Sequence, residues 1–215
     1  EYVRSLAMLF KKEWDGKRTL FLEHSNEVWN WAFPQARYCY DRSPATRNPT
    51  EYHIKRTAEI ARIFRSEGVE VTSVLGAQSV AARDFAWLIE RVPLPRDVNA
   101  VAIAPYFGYQ ITDRTSVEAV LDQCATSIQQ VGEQIRSWKQ VTDPLGLELI
   151  GYEGGQHLAP MPAEQNDASI VNLYVAANRH PRMGNLYRAY LSQWNQLTDR
   201  AVLCLFNSVY PPGRF

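Results

Sequence analysis

The sequence predicts an α/β fold, a parallel sheet covered by helices, and three observations carry that prediction. Short apolar runs of strand length alternate with longer segments of helical spacing throughout the chain. The runs are nearly continuous in apolar residues, the pattern of strands buried on both faces. Polar and aromatic residues collect immediately after the runs, where loops leaving a parallel sheet hold ligands.

Residues 2–14 have helical spacing, with Val3, Leu6, Leu9 and Phe10 on one face. The Asp15-Gly16 turn leads into a strand over 18–24. A helix over 50–67 follows, with Thr50 as N-cap and Ile54, Ala58, Ala61 and Ile63 apolar; Gly68 stops it. Strand 69–75, a short helix over 81–91 and strand 98–104 come next. A long amphipathic helix runs from Ser116 to about Val141, and a strand covers 147–152. Residues 169–197 are mostly helical with a break near His180-Pro181, and strand 201–206 closes the series. The result is five strands, each preceded by a helix, with no internal repeat beyond that rhythm and no linker.

A doubly wound sheet and a barrel both satisfy this order. No GxGxxG or P-loop follows any strand, which weakens the nucleotide-binding version. The residues after the strands decide for a (β/α)8 TIM barrel: Ser25-Asn26-Glu27-Val28-Trp29-Asn30, Gln78-Ser79, Tyr106-Phe107-Gly108-Tyr109, Glu153-Gly154-Gly155-Gln156-His157 and Asn207-Ser208-Val209-Tyr210. Such side chains suit a polyol, and the loops after barrel strands build the active site. Residues 1–215 are read as one domain.

Lys+Arg and Asp+Glu number 23 each, so the net charge is zero. That argues against nucleic acid and polybasic membrane binding, which need a concentrated positive field. No apolar run approaches the roughly 18 to 20 residues of a membrane span. Aromatics make up 12% of the chain, with six Trp and eleven Tyr; cores use them first, and sugar clefts also do. Cys39, Cys124 and Cys204 form no CxxC pair and read as buried thiols, which leaves the compartment open. The four His form no HExxH or other metal spacing, so neither metal nor cofactor is assigned.

Glycoside hydrolysis needs two carboxyl groups, one protonated and one ionised. Glu27 and Glu153 each stand just beyond a predicted strand. Asn26 precedes Glu27 and suits a sugar 2-hydroxyl, while Gly154 and Gly155 let a ligand approach the backbone beside Glu153. The competing reading is two ordinary surface glutamates among 23 acidic residues.

The run Phe21-Leu22-Glu23-His24-Ser25-Asn26-Glu27-Val28-Trp29-Asn30, with Phe33-Pro34-Gln35-Ala36-Arg37-Tyr38 after it, resembles the fourth-strand segment of clan A glycoside hydrolases. The likeness is to microbial secreted glycosidase-like members. In that clan the acid/base Glu ends the fourth strand and the nucleophile Glu ends the seventh. Counting the strand before Glu27 as the fourth makes the one before Glu153 the seventh. The resemblance therefore implies strands 4 to 8 of the barrel, the remainder coming from the same longer chain or from another.

It also implies Glu27 as acid/base, Glu153 as nucleophile, and a Tyr near the sixth strand that holds the nucleophile ionised. Tyr106 is favoured for that place over Tyr109, with rim packing as the other reading. Gln78, Trp29 and His157 are candidate sugar contacts, and Tyr210 stands where the clan carries a flooring Trp. Core packing competes for Trp29 and Trp31, and a rim hydrogen bond for His157. His24 is expected to point into the barrel interior. The expected function is a retaining β-glycosidase acting on a poly- or oligosaccharide outside the cell or at its surface. The alternative is a carbohydrate-binding or structural barrel without turnover.

Overall fold

The computed structural model describes residues 1–206. They form a mixed α/β structure with a four-stranded parallel sheet and flanking helices, in the strand order β1-β2-β3-β4. Two compact units are present: Glu1–Ile103 with Gln140–Ile150, and Ala104–Lys139 with the residues from Gly151 onward.

In the first unit, α1 (Tyr2–Glu13) packs on α3 (Pro49–Ser66). Ala7 of α1 joins Ile60, Ala61, Phe64, Val69 and Val71 in a core that Val3, Leu6, Phe10, Leu20 and Leu22 close over. The apolar stripe of α1 departs in part from the one its spacing predicts: Val3, Leu6 and Phe10 face the core, but Leu9 is exposed and Ala7 is the residue fully buried there. Asn48, not Thr50, caps α3: its side-chain oxygen accepts the Thr50 N–H at 2.9 Å, and Pro49 takes the first helical position, where a missing N–H costs nothing. Gly68, at φ +80°, ends the helix as expected.

The strands are shorter than their apolar runs: β1 is Phe21–Glu23, β2 Thr72–Gly76, β3 Ala100–Ile103 and β4 Glu148–Gly151. β1 pairs with β2 (Leu22↔Ser73) and β2 with β3 (Leu75↔Val101), both parallel. All of β3 is buried, which explains its unbroken apolar sequence. Arg65 ties α3 to the sheet entrance by donating to Asp97 (3.1 Å), the Val71 carbonyl (3.0 Å) and Asn99 (2.7 Å). The short helix α4 is Ala82–Ile89. One helix escapes the periodicity: α2, Pro34–Asp41, packs on α3 through Ala36 and Cys39, a stripe too small to register.

The long helix α5, Val117–Thr142, runs in the second unit as far as Lys139. There it meets α7 (Pro181–Thr198), whose Gln193 donates to the Ile128 carbonyl at 2.7 Å. Gly132 makes room, since a Cβ there would lie 2.6 Å from the Gln193 Oε1. The break before α7 falls as predicted: α6 is Ala168–Arg179, and Pro181 starts α7 behind His180, whose Nδ1 accepts the Arg182 N–H.

The strand expected over 201–206 reduces to one parallel bridge, Gly151↔Leu203. Gly151 donates to the Val202 carbonyl (2.8 Å) and Cys204 to the Gly151 carbonyl (3.0 Å). Leu203 fills the space over Gly151 that a side chain would take. The cysteines are all free, but Cys204 is exposed rather than buried, because this segment lies at the surface. Among the described residues no helix is long and apolar enough to cross a membrane.

Candidate functional site

The carboxyl end of β1 concentrates unusual groups. Strand pleating sends Leu22 and His24 to one face and Glu23 to the other. Leu22 accordingly packs with the α1/α3 core, and His24 meets α3: its Nδ1 is 3.1 Å from the Nδ1 of His53, with the Tyr52 ring edge-on at 5.8 Å. The expectation that His24 points to a barrel interior is thus corrected, because its parity matches that of Leu22. Burial, then the charge of Arg56, brings the His24 pKa down to about 4; burial, then His24, brings His53 to about 3. Both rings are neutral at pH 7, and one donates its Nδ1–H to the other.

Glu23 lies against Gly76 on β2, where an added Cβ would come within 2.2 Å of the Glu23 Oε1. That oxygen is buried and has no hydrogen-bond partner among the described residues. Burial first, then the negative charge of Glu27, raise the Glu23 pKa from 4.5 to about 7, and the Gly76 main-chain amide offsets only part of this.

Glu27 adopts φ +44°, the left-handed region that costs a non-glycine residue of order 1 kcal/mol or more. Its Oε2 accepts from the Asn30 Nδ2 at 2.8 Å. The Asn30 amide is fixed the right way round, since its Oδ1 accepts the Ala32 N–H at 3.0 Å. A turn closed by Asn30 N–H to the Glu27 carbonyl (2.9 Å) holds both residues. Asn26 is exposed, and its carbonyl accepts from Gln35. Trp29 is half-buried, with its indole Nε1 buried and unpartnered among the described residues. Trp31 stands 59% exposed, edge-on to Tyr40, so it is not a core residue. Gln78 is exposed two residues beyond β2, and its carbonyl accepts the Ala81 N–H.

The second unit assembles another group of predicted residues. The segment after β3 pairs with the one after β4: Phe107 N–H donates to the Gly155 carbonyl (2.9 Å), and His157 N–H to the Phe107 carbonyl (2.7 Å). Tyr106 and Tyr109 therefore both stand edge-on to the His157 ring, at 5.4 and 5.1 Å. The Tyr187 hydroxyl accepts the Gln156 N–H at 3.1 Å, and Gly155, at φ +129°, occupies backbone space only glycine takes easily. Glu153 is half-buried, two residues beyond β4. Tyr210 lies outside the described residues. Among the described residues no group of three or more His, Cys, Asp or Glu is placed to hold a metal.

Glu23, His53 and Tyr187 escaped the sequence reading. A charged residue inside an apolar strand was the available signal for Glu23; for the other two the sequence carries none. No family model, curated protein or solved structure matches the chain.

Proposed function

We propose that the chain is part of a retaining β-glycosidase with a (β/α)8 barrel of the clan A type, contributing strands 4 to 8. The sequential order of β1 to β4 in a wholly parallel sheet supports the barrel, since each strand is laid beside its predecessor without the order reversal at which a doubly wound sheet binds its ligand. Glu27 follows the first of these strands and Glu153 the last.

The observation that carries the functional reading is the backbone of Glu27: a left-handed glutamate just beyond a strand, with its carboxylate oriented by an amide that is itself pinned. Strain of this kind persists where a side chain has to be aimed. In the proposed reaction Glu153 attacks the anomeric carbon and the bond to the leaving oxygen breaks, that oxygen taking a proton from Glu27. Water then attacks the glycosyl ester, giving its proton to Glu27 and releasing Glu153. Tyr106, Tyr109, His157, Asn26, Trp29 and Gln78 are the proposed sugar contacts. A location outside the cell or at its surface follows from the family resemblance.

Trapping with a panel of 2-fluoro β-glycosides tests the reading. A glycosyl adduct on Glu153 in peptide mass spectra is the expected result; labelling at another residue, or at none across the panel, refutes it. The exposed Trp31, Phe33 and Tyr38 favour a second reading, a carbohydrate-binding barrel without turnover. Oligosaccharide binding that is lost in Trp31→Ala and never yields product would establish it.

A further inference from the structure

We infer that Trp31, Tyr40 and Arg47 form a subsite for an acidic sugar, a pyranose that carries a carboxylate, beside the turn that bears Glu27. The turn fixes the platform. Trp31 lies between Asn30, whose side-chain amide donates to the Glu27 Oε2 at 2.8 Å, and Ala32, whose N–H is accepted by the Asn30 Oδ1 at 3.0 Å. The start of α2 is tied to the same segment, since Gln35 Nε2 donates to the Asn26 carbonyl at 2.9 Å. Trp31 is 59% exposed and meets Tyr40 edge-on, with ring centroids 5.4 Å apart. That contact occupies at most one indole face, so another is left to the apolar face of a pyranose.

The charge comes from two arginines gathered on the Tyr40 ring. Arg37 Cζ stands over it at 5.7 Å from the centroid and Arg47 Cζ at 4.8 Å. Arg37 is already neutralised, its Nε lying 3.0 and 3.1 Å from the two Asp41 carboxylate oxygens. Arg47 is exposed, and its guanidinium has neither a carboxylate nor another hydrogen-bond acceptor among the described residues. Its root is fixed, because its main-chain N–H donates to the carbonyl of buried Ser43 at 2.9 Å. A ring face holds a guanidinium in place without using up its N–H donors. Those donors form the planar fork that takes a carboxylate through two bonds. A neutral sugar gains nothing from them. The chain as a whole has zero net charge, so this cation is local, which suits one carboxylate on a sugar ring rather than a nucleic acid backbone.

The place of this subsite next to a cleaved bond rests on the glycosidase reading; the binding of an acidic sugar does not. Arg42 supplies an internal control. Its Cζ sits over the Tyr38 ring, 3.6 Å from the centroid. Tyr38 is two residues from Tyr40 on α2, which sets the two rings on different faces of the helix. Arg42 therefore carries the same charge in the same kind of stack, but not on the ring that meets Trp31.

The experiment is a calorimetric titration of the whole chain with β-linked oligomers of glucuronate and of mannuronate, each set against its neutral counterpart built of glucose or mannose. At least one acidic oligomer is expected to bind about tenfold more tightly than its counterpart, the worth of one charge-assisted contact. Arg47→Ala should abolish that preference and Arg47→Lys restore part of it. Trp31→Ala should weaken both members of the pair, and Arg42→Ala should leave the preference in place. Equal binding of acidic and neutral oligomers, or binding of neither, overturns the subsite. So does an equal loss in Arg42→Ala, which would reduce the effect to attraction by surface charge. Fluoro-glycoside trapping keeps the two failures apart: acidic preference with no labelled residue leaves the subsite standing and removes the catalytic reading, and an adduct on Glu153 without acidic preference does the reverse.

Discussion

Glu23→Gln is expected to stabilise the chain above about pH 7 and to change its stability little near pH 4. The Glu23 pKa is about 7 in the folded chain against 4.5 for an ordinary glutamate. Between those values the folded chain binds more protons than the unfolded one, so stability falls as pH rises through the window. Below pH 4.5 both states are protonated and the contribution is fully present; above 7 it is gone. At about 1.4 kcal/mol per pH unit the full loss is about 3 kcal/mol. Glutamine keeps the shape and does not titrate, so the variant escapes this loss. Its amide brings an offset of its own in the Gly76 notch, but that offset does not vary with pH. The His24–His53 pair works in the opposite direction in both proteins and cancels in the difference. Urea unfolding of both proteins at about pH 4, 6 and 8 gives the test: the variant should gain on wild type by about 3 kcal/mol across the series. Parallel stability curves would refute a neutral buried Glu23.

Gly76→Ala sets a Cβ 2.2 Å from the Glu23 Oε1 and should cost about 1 to 3 kcal/mol; most of the loss should be recovered in the double variant with Glu23→Ala, and additive losses in a double-mutant cycle would deny the contact. The His24 and His53 pKa values are depressed, to about 4 and about 3, so their contribution is present above pH 6.5 and lost as pH falls below it. His53→Leu should therefore flatten the acid side of the stability curve, measured by urea unfolding across that range. Arg65→Ala strips three bonds at once, to Asp97, Val71 and Asn99, and should destabilise by about 2 to 4 kcal/mol; hydrogen exchange should then speed up first at the starts of β2 and β3.

The sequence by itself determined the alternation of helix and strand and most of the helix ends. Those are local matters: periodicity, a proline at Pro181 that cannot continue a helix, a glycine at Gly68 that can turn one off. It also put Glu27 and Glu153 just beyond strands, because a strand's end is marked by where its apolar run stops. α2 was not visible, since Ala36 and Cys39 make an apolar stripe too short to show a period. The closing strand was overestimated, because an apolar run does not say how much of it will find a partner: Leu203 found only Gly151.

Tertiary structure alone decided the electrostatics of the β1 terminus. The orientation of His24 depends on pleat parity, and parity is fixed by which residues of β1 pair with β2. The state of Glu23 depends on Gly76, more than fifty residues further along. A carboxyl group's pKa is set by the donors and charges within a few ångströms of it, and those come from segments that only folding brings together.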